Sequence, residues 1–321
     1  MLNKVIFLSF VTLSLYANPI LTQYRENGFL NIEKKMDFEL SKKDYWTQYL
    51  KNKDTSFGYL ESYNSVLVCD KDEATLNLYQ QDENKNFKTL KKFSAFTGEN
   101  KGDKNKEGDL KTPHGVYNLT QKIYKLDSFY GPLAFVTSYP NTYDKYRGKN
   151  GSGIWIHGLP TEQERDEYTK GCIAINNSNI KCLDKNIDIT NTLLIISPNQ
   201  TPKNVSKKVL AKILANLYEW RYSWLYNDTQ KYLSFYSNDF IRDDGMKYDR
   251  FIKYKTRIFN KQESKQIIFN SINVVPYPDS KNIFVITFKE KYKSNSFEFV
   301  GDKVLMITIH EDSSFKIFTE K

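Results

Sequence analysis

The chain contains few of the residues that metal sites and disulfide frameworks require. It has three histidines and three cysteines in 321 residues. No His-x-x-x-His pair and no closely paired cysteines are present, so the sequence predicts neither a metal centre nor a cofactor. An odd number of cysteines leaves at least one thiol without an intramolecular partner. Cys69 and Cys182 either pair or remain two buried reduced thiols, and their apolar surroundings favour the second interpretation.

The sequence also lacks a dense basic block interleaved with aromatic residues, which argues against nucleic acid as a partner. Lys and Arg number 47 against 38 Asp and Glu, for a net charge of +9. This excess favours an anionic partner such as an acidic wall polymer, or it reflects a proteome rich in Lys and Asn. Beyond the N-terminus no apolar run reaches membrane-spanning length.

The N-terminus has the pattern of an export signal. Lys4 supplies a positive start, residues 5–15 are mostly apolar, and Ala17 is a suitable last residue before cleavage. No cysteine follows, which argues against a lipid anchor. We therefore expect a signal peptide at 1–17, a periplasmic or secreted protein, and no transmembrane segment after cleavage.

Three further segments are expected after this leader. Residues 18–57 are polar and helix-prone, and they form either an arm that packs on the next domain or a dimerisation arm of a homodimer. From residue 58 to 200, short strands dominate and predict a mixed β sandwich or barrel with short helices. The strands are expected at 65–69, 75–79, 87–96, 116–119, 133–136, 153–157 and 192–196, with a helix at 177–184 and a loop or short helix at 162–168.

A turn-rich junction at 197–202 predicts a domain boundary. Beyond it, residues 203–321 form an α+β domain. A long helical pattern runs from 209 to 236, another helix is expected at 248–259, and strands are expected at 266–275, 282–289, 297–300, 303–310 and 314–318. This order of elements, together with the aromatic stretch at 220–240, resembles an NTF2-like domain.

One short window combines the groups that a cysteine enzyme needs. The sequence HGLP occupies residues 157–160, and TKGCI occupies 169–173. A cysteine is nucleophilic as the thiolate, so Cys172 requires a base such as His157. Gly171 permits a sharp turn that turns its own N–H and that of Cys172 towards a substrate carbonyl, which predicts an oxyanion hole.

A second motif, DLKTPHGVY at 109–117, precedes this window. Together the two motifs resemble the L,D-transpeptidase catalytic domain (the YkuD-like family), over about residues 58–200. The resemblance implies Cys172 as nucleophile and His157 as general base, with the imidazole oriented by a backbone carbonyl. It further implies that Thr169 shapes the turn beside Gly171.

The sequence departs from the family pattern at two positions. Lys170 stands where His or Arg is common, and Ala174 stands where a polar residue, often Arg, is usual. If a substrate carboxylate is clamped, the cation is then Lys170, Arg147 or Lys149. His114 occupies the variable position of the Thr-Pro-x-Gly turn, and we expect it on the surface or on a pocket wall; a substrate contact is the alternative.

The whole layout resembles the cell-shape-determining peptidoglycan L,D-carboxypeptidases that carry a C-terminal NTF2-like domain. The resemblance implies removal of the terminal D-Ala from tetrapeptide stems containing meso-diaminopimelate, which leaves tripeptides. Three alternatives stay open: an L,D-transpeptidase that forms crosslinks, a catalytically inactive wall-binding protein, and a different cysteine hydrolase.

Overall fold

The fold is a computed structural model that describes residues 19–161, 168–199, 205–310 and 315–321. The expected signal peptide, residues 162–167 and part of the turn-rich junction lie outside these ranges. The helices are α1 (Pro19–Leu40), α2 (Lys43–Tyr49), α3 (Thr142–Tyr146), α4 (Asn177–Asn186), α5 (Lys207–Leu225), α6 (Thr229–Ser234) and α7 (Tyr248–Phe259). Short 3-10 helices occupy Ser128–Tyr130 and Ile189–Asn191.

The strands fall into two groups along the chain. The first group is β1 (Tyr59–Leu60), β2 (Ser65–Asp70), β3 (Thr75–Gln81), β4 (Phe87–Phe96), β5 (Gly115–Ile123), β6 (Ala134–Thr137), β7 (Trp155–His157), β8 (Ile173–Ile175) and β9 (Thr192–Ser197). The second group is β10 (Lys265–Pro276), β11 (Ile283–Ser294), β12 (Glu298–Ile309) and β13 (Phe315–Glu320).

Strands β2 to β9 close into an eight-stranded barrel in the order β2-β3-β4-β8-β7-β6-β5-β9. The β2–β9 and β7–β8 pairs are parallel, whereas the others are antiparallel. A strand buried on both faces is a continuous apolar run, and every residue of β2 is buried. Leu67 points into the barrel core, while Val66 and Val68 pack against the C-terminal domain.

The C-terminal domain is a five-stranded antiparallel sheet in the order β1-β10-β11-β12-β13. One face packs against α5, α6 and α7 in an aromatic-rich core that includes Trp220 and Tyr232. The other face packs on the barrel, where Val275 and Met306 meet the outward residues of β2 and β9. The sheet is therefore buried between its own helices and the barrel.

Most elements expected from the sequence are found in the described ranges, but the helical pattern at 209–236 is divided into α5 and α6, and β1 and α3 were not predicted. The two strands expected at 297–300 and 303–310 are one strand, β12. Strand β8 was not predicted, because three buried residues are too few to show a period.

The N-terminal helices pack on α5 of the C-terminal domain, whereas Asp54 and Phe57 at the end of the same segment contact β3 and β4 of the barrel. The dimerisation arm stays a prediction. Asp37 of α1 lies 2.7 Å from the Arg221 guanidinium, and the Trp46 ring of α2 lies 5.2 Å from that of Tyr218. Tyr59 of β1 then pairs with Val274 of β10. A buried ion pair and aromatic packing thus attach this segment to the C-terminal domain. Among the described helices, none is long and apolar enough to cross a membrane.

Candidate active site

Two neighbouring strands bring the predicted base and nucleophile together. In the parallel β7–β8 pair, His157 lies opposite Ala174, and Cys172 directly precedes β8. The Trp155 N–H of β7 donates to Cys172 Sγ at 3.4 Å. The Cys172 sulfur contacts the backbone of Trp155, and His157 follows two residues later on the same strand, so the thiol and the imidazole both lie beside β7.

Backbone groups around Cys172 contact its sulfur. Besides the Trp155 N–H, the Gly153 carbonyl oxygen lies 3.3 Å from Sγ and accepts the thiol proton. A hydrogen bond donated to the sulfur favours the thiolate over the thiol, because it stabilises the charged form. Sequence analysis did not find this donor, since a backbone amide carries no residue-type signal.

The His157 imidazole is buried and oriented by backbone. Its side chain is 1% exposed, and Nδ1 lies 2.6 Å from the Gly158 carbonyl oxygen. A carbonyl only accepts, so Nδ1 carries the proton and Nε2 keeps its lone pair in the neutral ring. This is the arrangement that the family resemblance implied. The Tyr130 ring packs edge-to-face on the imidazole at 5.1 Å, and its carbonyl accepts the Gly158 N–H at 3.0 Å.

Asn177 fixes the turn that follows His157, and sequence analysis missed it. Its Oδ1 accepts the Leu159 N–H at 2.8 Å, and its Nδ2 donates to the Leu159 carbonyl at 3.0 Å. A β-carbon at Gly158 would lie 2.3 Å from Oδ1, so this close approach requires glycine. An Asn at the start of a helix is ordinarily interpreted as a capping residue, which conceals this role in the sequence.

The turn before Cys172 is held by Thr169. Its hydroxyl donates to the Cys172 carbonyl at 2.6 Å and accepts the Gly171 N–H at 3.0 Å. Gly171 has φ of +129°, and a β-carbon there would lie 2.8 Å from the Lys111 carbonyl oxygen. The predicted use of the Gly171 amide in an oxyanion hole is wrong, because Thr169 accepts its proton. The Cys172 amide is the other donor that the sequence predicted.

Two of the three candidate cations belong to a buried ion cluster. Arg147 lies 3.1 Å from Asp103 and 3.0 Å from Asp144. Lys149 contacts the same two carboxylates and its side chain is 2% exposed. Burial alone would raise the pKa of the Asp103 carboxyl, but hydrogen bonds from the His114 backbone amide and from Lys149 lower this pKa. Both carboxylates hold the Arg147 guanidinium, whose side chain is 30% exposed, and its role in substrate binding stays a prediction. Lys170 is exposed beside Cys172.

Ala174 and His114 are both buried. Ala174 is 0% exposed between His157 of β7 and Phe96 of β4. His114 is 4% exposed and contacts Asp279 of the C-terminal domain through Nδ1. The expectation of a surface or pocket-wall position for His114 is therefore wrong, because it lies between the two domains.

Among the described residues, Cys69, Cys172 and Cys182 form no disulfide with one another. Cys69 is fully buried, and burial raises the pKa of its thiol to about 12. Cys182 is half-buried on α4, so the interpretation of two buried thiols is correct for Cys69 alone. Because Cys69 stays protonated near neutral pH, it is no nucleophile.

A concavity of about 560 Å³ lies in the C-terminal domain between α7 and β11–β12. Lys255 projects over the rings of Trp224 and Tyr232, at 4.8 and 5.2 Å from their centroids. Burial lowers the pKa of Lys255 to about 8, despite the carboxylates of Glu320 and Glu290. The wall combines aromatic rings with charges of both signs.

Comparison with known proteins gives a family for both parts of the chain. Residues 64–196 match the model of the L,D-transpeptidase catalytic domain (YkuD), and residues 212–321 match the Cds6 C-terminal NTF2-like domain. The chain therefore belongs to the L,D-transpeptidase family, in a form whose eight-stranded barrel is followed by an NTF2-like domain.

Several individual proteins resemble the chain. The helical cell shape determining protein Pgp2 from Campylobacter jejuni is 36% identical, with a TM-score of 0.80 over 88% of this chain and 99% of that one. Bd1075 of Bdellovibrio bacteriovorus shares the fold at 24% identity, with a TM-score of 0.66 over 84% and 96% of the two chains. Putative L,D-transpeptidase YafK of Escherichia coli (strain K12) is 33% identical over 111 residues, which are 34% of this chain and 42% of that protein.

Proposed function

We propose that this protein is a periplasmic peptidoglycan L,D-carboxypeptidase that contributes to cell shape. Its substrate is a tetrapeptide stem, from which it removes the terminal D-Ala after meso-diaminopimelate. The observation that carries the proposal is the Nδ1 contact of His157 with the Gly158 carbonyl, since it leaves Nε2 as a base beside the same strand as Cys172. The name of the 36% identical Pgp2 supports the role in cell shape.

The first half of the reaction forms an acyl-enzyme. His157 Nε2 takes the thiol proton of Cys172, and Sγ attacks the carbonyl carbon between meso-diaminopimelate and D-Ala. The Cys172 amide donates to the oxygen of the tetrahedral intermediate, and one such donor contributes roughly 3–4 kcal/mol in an ordered site. The intermediate then collapses, the C–N bond breaks, and the imidazolium gives its proton to the departing amine.

The second half is hydrolysis. Water attacks the thioester carbon while His157 accepts its proton. The C–S bond then breaks, the imidazolium returns this proton to the Cys172 thiolate, and the tripeptide carboxylic acid ionises into solvent. Lys170 is the better candidate to hold the substrate carboxylate, since Asp103 and Asp144 occupy Arg147. An amine of a neighbouring stem in place of water would give a crosslink, and the name of YafK favours this transpeptidase as the second candidate.

The test is mass spectrometry of stem peptides after incubation with the purified protein. We expect tetrapeptides to be converted to tripeptides with release of D-Ala. Cys172→Ala should abolish the conversion, whereas Cys182→Ala is the matched control and should retain it, because Cys182 lies on α4 with its sulfur against Asn186. New crosslinked dimers would indicate the transpeptidase. No product on any stem length, with binding to sacculi unchanged by Cys172→Ala, would indicate a wall-binding protein without catalysis.

A further inference from the structure

His114 connects the barrel to the C-terminal domain through a defined set of contacts. Its Nδ1 contacts the carboxylate of Asp279, which lies between β10 and β11. Its Nε2 lies 3.1 Å from Lys71 Nζ. The imidazole side chain is 5% exposed, whereas that of Asp279 is 44% exposed.

These partners determine the tautomer of His114. A lysine ammonium only donates, so Nε2 accepts from Lys71, and Nδ1–H donates to Asp279. The other two protons of Lys71 go to the carbonyl oxygens of Gly102 and Thr112, at 2.6 and 2.7 Å. All three ammonium donors and both ring nitrogens are therefore satisfied when the imidazole is neutral.

The contacts of His114 and Lys71 extend through the backbone at 111–112 to the turn that precedes Cys172. The Thr112 hydroxyl accepts the Gly98 N–H at 2.8 Å, and Gly98 is bridged to Thr169. The carbonyl oxygen of Lys111 lies against Gly171, with no room for a β-carbon between them. The backbone at 111–112 thus supports the turn that presents Cys172.

We propose that Asp279 of the C-terminal domain is a positioning residue for Cys172, acting through His114 and Lys71 on the backbone at 111–112. Its effect on turnover rests on the proposed function, but its effect on the thiol does not. When the contact between His114 and Asp279 is lost, the backbone at 111–112 no longer holds the Gly171 turn. Cys172 Sγ then moves away from the imidazole of His157.

The contact is sensitive to protonation of His114. A second ring proton would sit on Nε2 and face the Lys71 ammonium, so that contact would break while the one with Asp279 would persist. Burial and the Lys71 charge lower the pKa of His114, against the opposing carboxylates of Asp279 and Asp103. Asp103 is itself paired with Arg147 and Lys149, so the neutral form prevails at neutral pH.

The first test is nitrogen NMR of the full chain, which has only three histidines. The imidazole nitrogen signals that disappear in His114→Gln are those of His114. We expect a neutral His114 with its proton on Nδ1 at neutral pH, and loss of this fixed tautomer in Asp279→Ala. A proton on Nε2, or a signal identical in wild type and Asp279→Ala, would overturn the proposal.

The second test measures alkylation of Cys172 by iodoacetamide, followed by peptide mapping in a Cys182→Ser background. We expect Asp279→Ala to slow alkylation at neutral pH roughly three- to tenfold, because networks of this kind change coupling by such factors. Asp279→Glu should restore the rate. Asp249→Ala, at an exposed position on α7, is the control and should alkylate at the wild-type rate.

The outcomes separate the two proposals. Slowed alkylation in Asp279→Ala, together with a wild type that turns over no stem peptide, would refute the proposed function and leave the positioning role supported. Normal alkylation in Asp279→Ala, together with active wild type, would refute the positioning role alone. Thermal unfolding of each variant confirms that the compared proteins are folded.

Discussion

Gly171 is the position where a single methyl group tests the geometry of the nucleophile most directly. Its φ is +129°, and an added β-carbon would lie 2.8 Å from the Lys111 carbonyl oxygen and 3.2 Å from Ile154 Cδ1. Gly148 is a matched control, because it has φ of +70° and no heavy atom within 4 Å of an added β-carbon. Gly171→Ala therefore combines backbone strain with a steric clash, whereas Gly148→Ala has the strain alone.

The magnitudes follow from these two effects. Backbone strain costs roughly 1–3 kcal/mol and overpacking roughly 1–3 kcal/mol. Gly171→Ala should thus lower the free energy of unfolding by roughly 2–6 kcal/mol, against roughly 1–3 kcal/mol for Gly148→Ala. A backbone shift of about 1 Å at the nucleophile should also reduce kcat/KM roughly a hundredfold.

Thermal unfolding and turnover of tetrapeptide stems provide the assay. A difference of about 2 kcal/mol between the two variants corresponds to a Tm difference of roughly 4–8 °C. Gly148→Ala should keep wild-type turnover. Equal Tm values and equal turnover in the two variants would refute the reasoning. They would mean that the Lys111 carbonyl oxygen does not prevent a β-carbon at residue 171.

Three other predictions concern separate parts of the molecule. Asn177→Ala should lower kcat roughly tenfold or more, because the released Leu159 turn no longer fixes His157; turnover and thermal unfolding measure this. Arg221→Ala should destabilise the protein by roughly 3–5 kcal/mol, because Asp37 is left as an unpaired buried charge; denaturant unfolding measures this. The stability of wild type relative to Lys255→Met should rise with pH between about 8 and 10.5, since the folded lysine has lost its proton there while the unfolded one retains it.

Each of the three has a control and a contradicting result. For Asn177→Ala the control is Asn179→Ala on the same helix, and equal turnover in both would contradict the role. For Arg221→Ala, the double variant with Asp37→Ala should recover part of the stability, and no recovery would mean that the pair does not couple. For Lys255→Met, a stability difference independent of pH would show that the buried lysine does not titrate in this window.

The sequence alone predicts those helices and strands whose apolar residues recur with a helical or strand period. The alternation in β3 and the long apolar face of α5 predict their elements directly. Strand β8 has only Ile173–Ile175, and its existence depends on pairing with β4 and β7, which no local pattern encodes. Residue types likewise identified His157 and Cys172 as candidates.

What escaped prediction depends on contacts between distant segments. Asp279 lies 165 residues after His114, and nothing in either local sequence signals that they meet. The same holds for Asp103 and Arg147, which form an ion pair although 44 residues separate them in the sequence. Backbone donors such as the Trp155 N–H are invisible to residue-type reasoning, because every residue except proline has one.

The pairing of β1 with β10, and the packing of α1 and α2 on α5, mean that the barrel is an insertion within the unit formed by the chain's two ends. A fragment starting at residue 203 would lack Trp46 and Leu50 from its core and would leave the β10 edge at Val274 uncovered. Such a fragment should aggregate, since unpaired strand edges recruit other chains. Joining residue 60 to residue 205 through a short flexible linker keeps these contacts, but it exposes the sheet face of Val275 and Met306 that packs on the barrel.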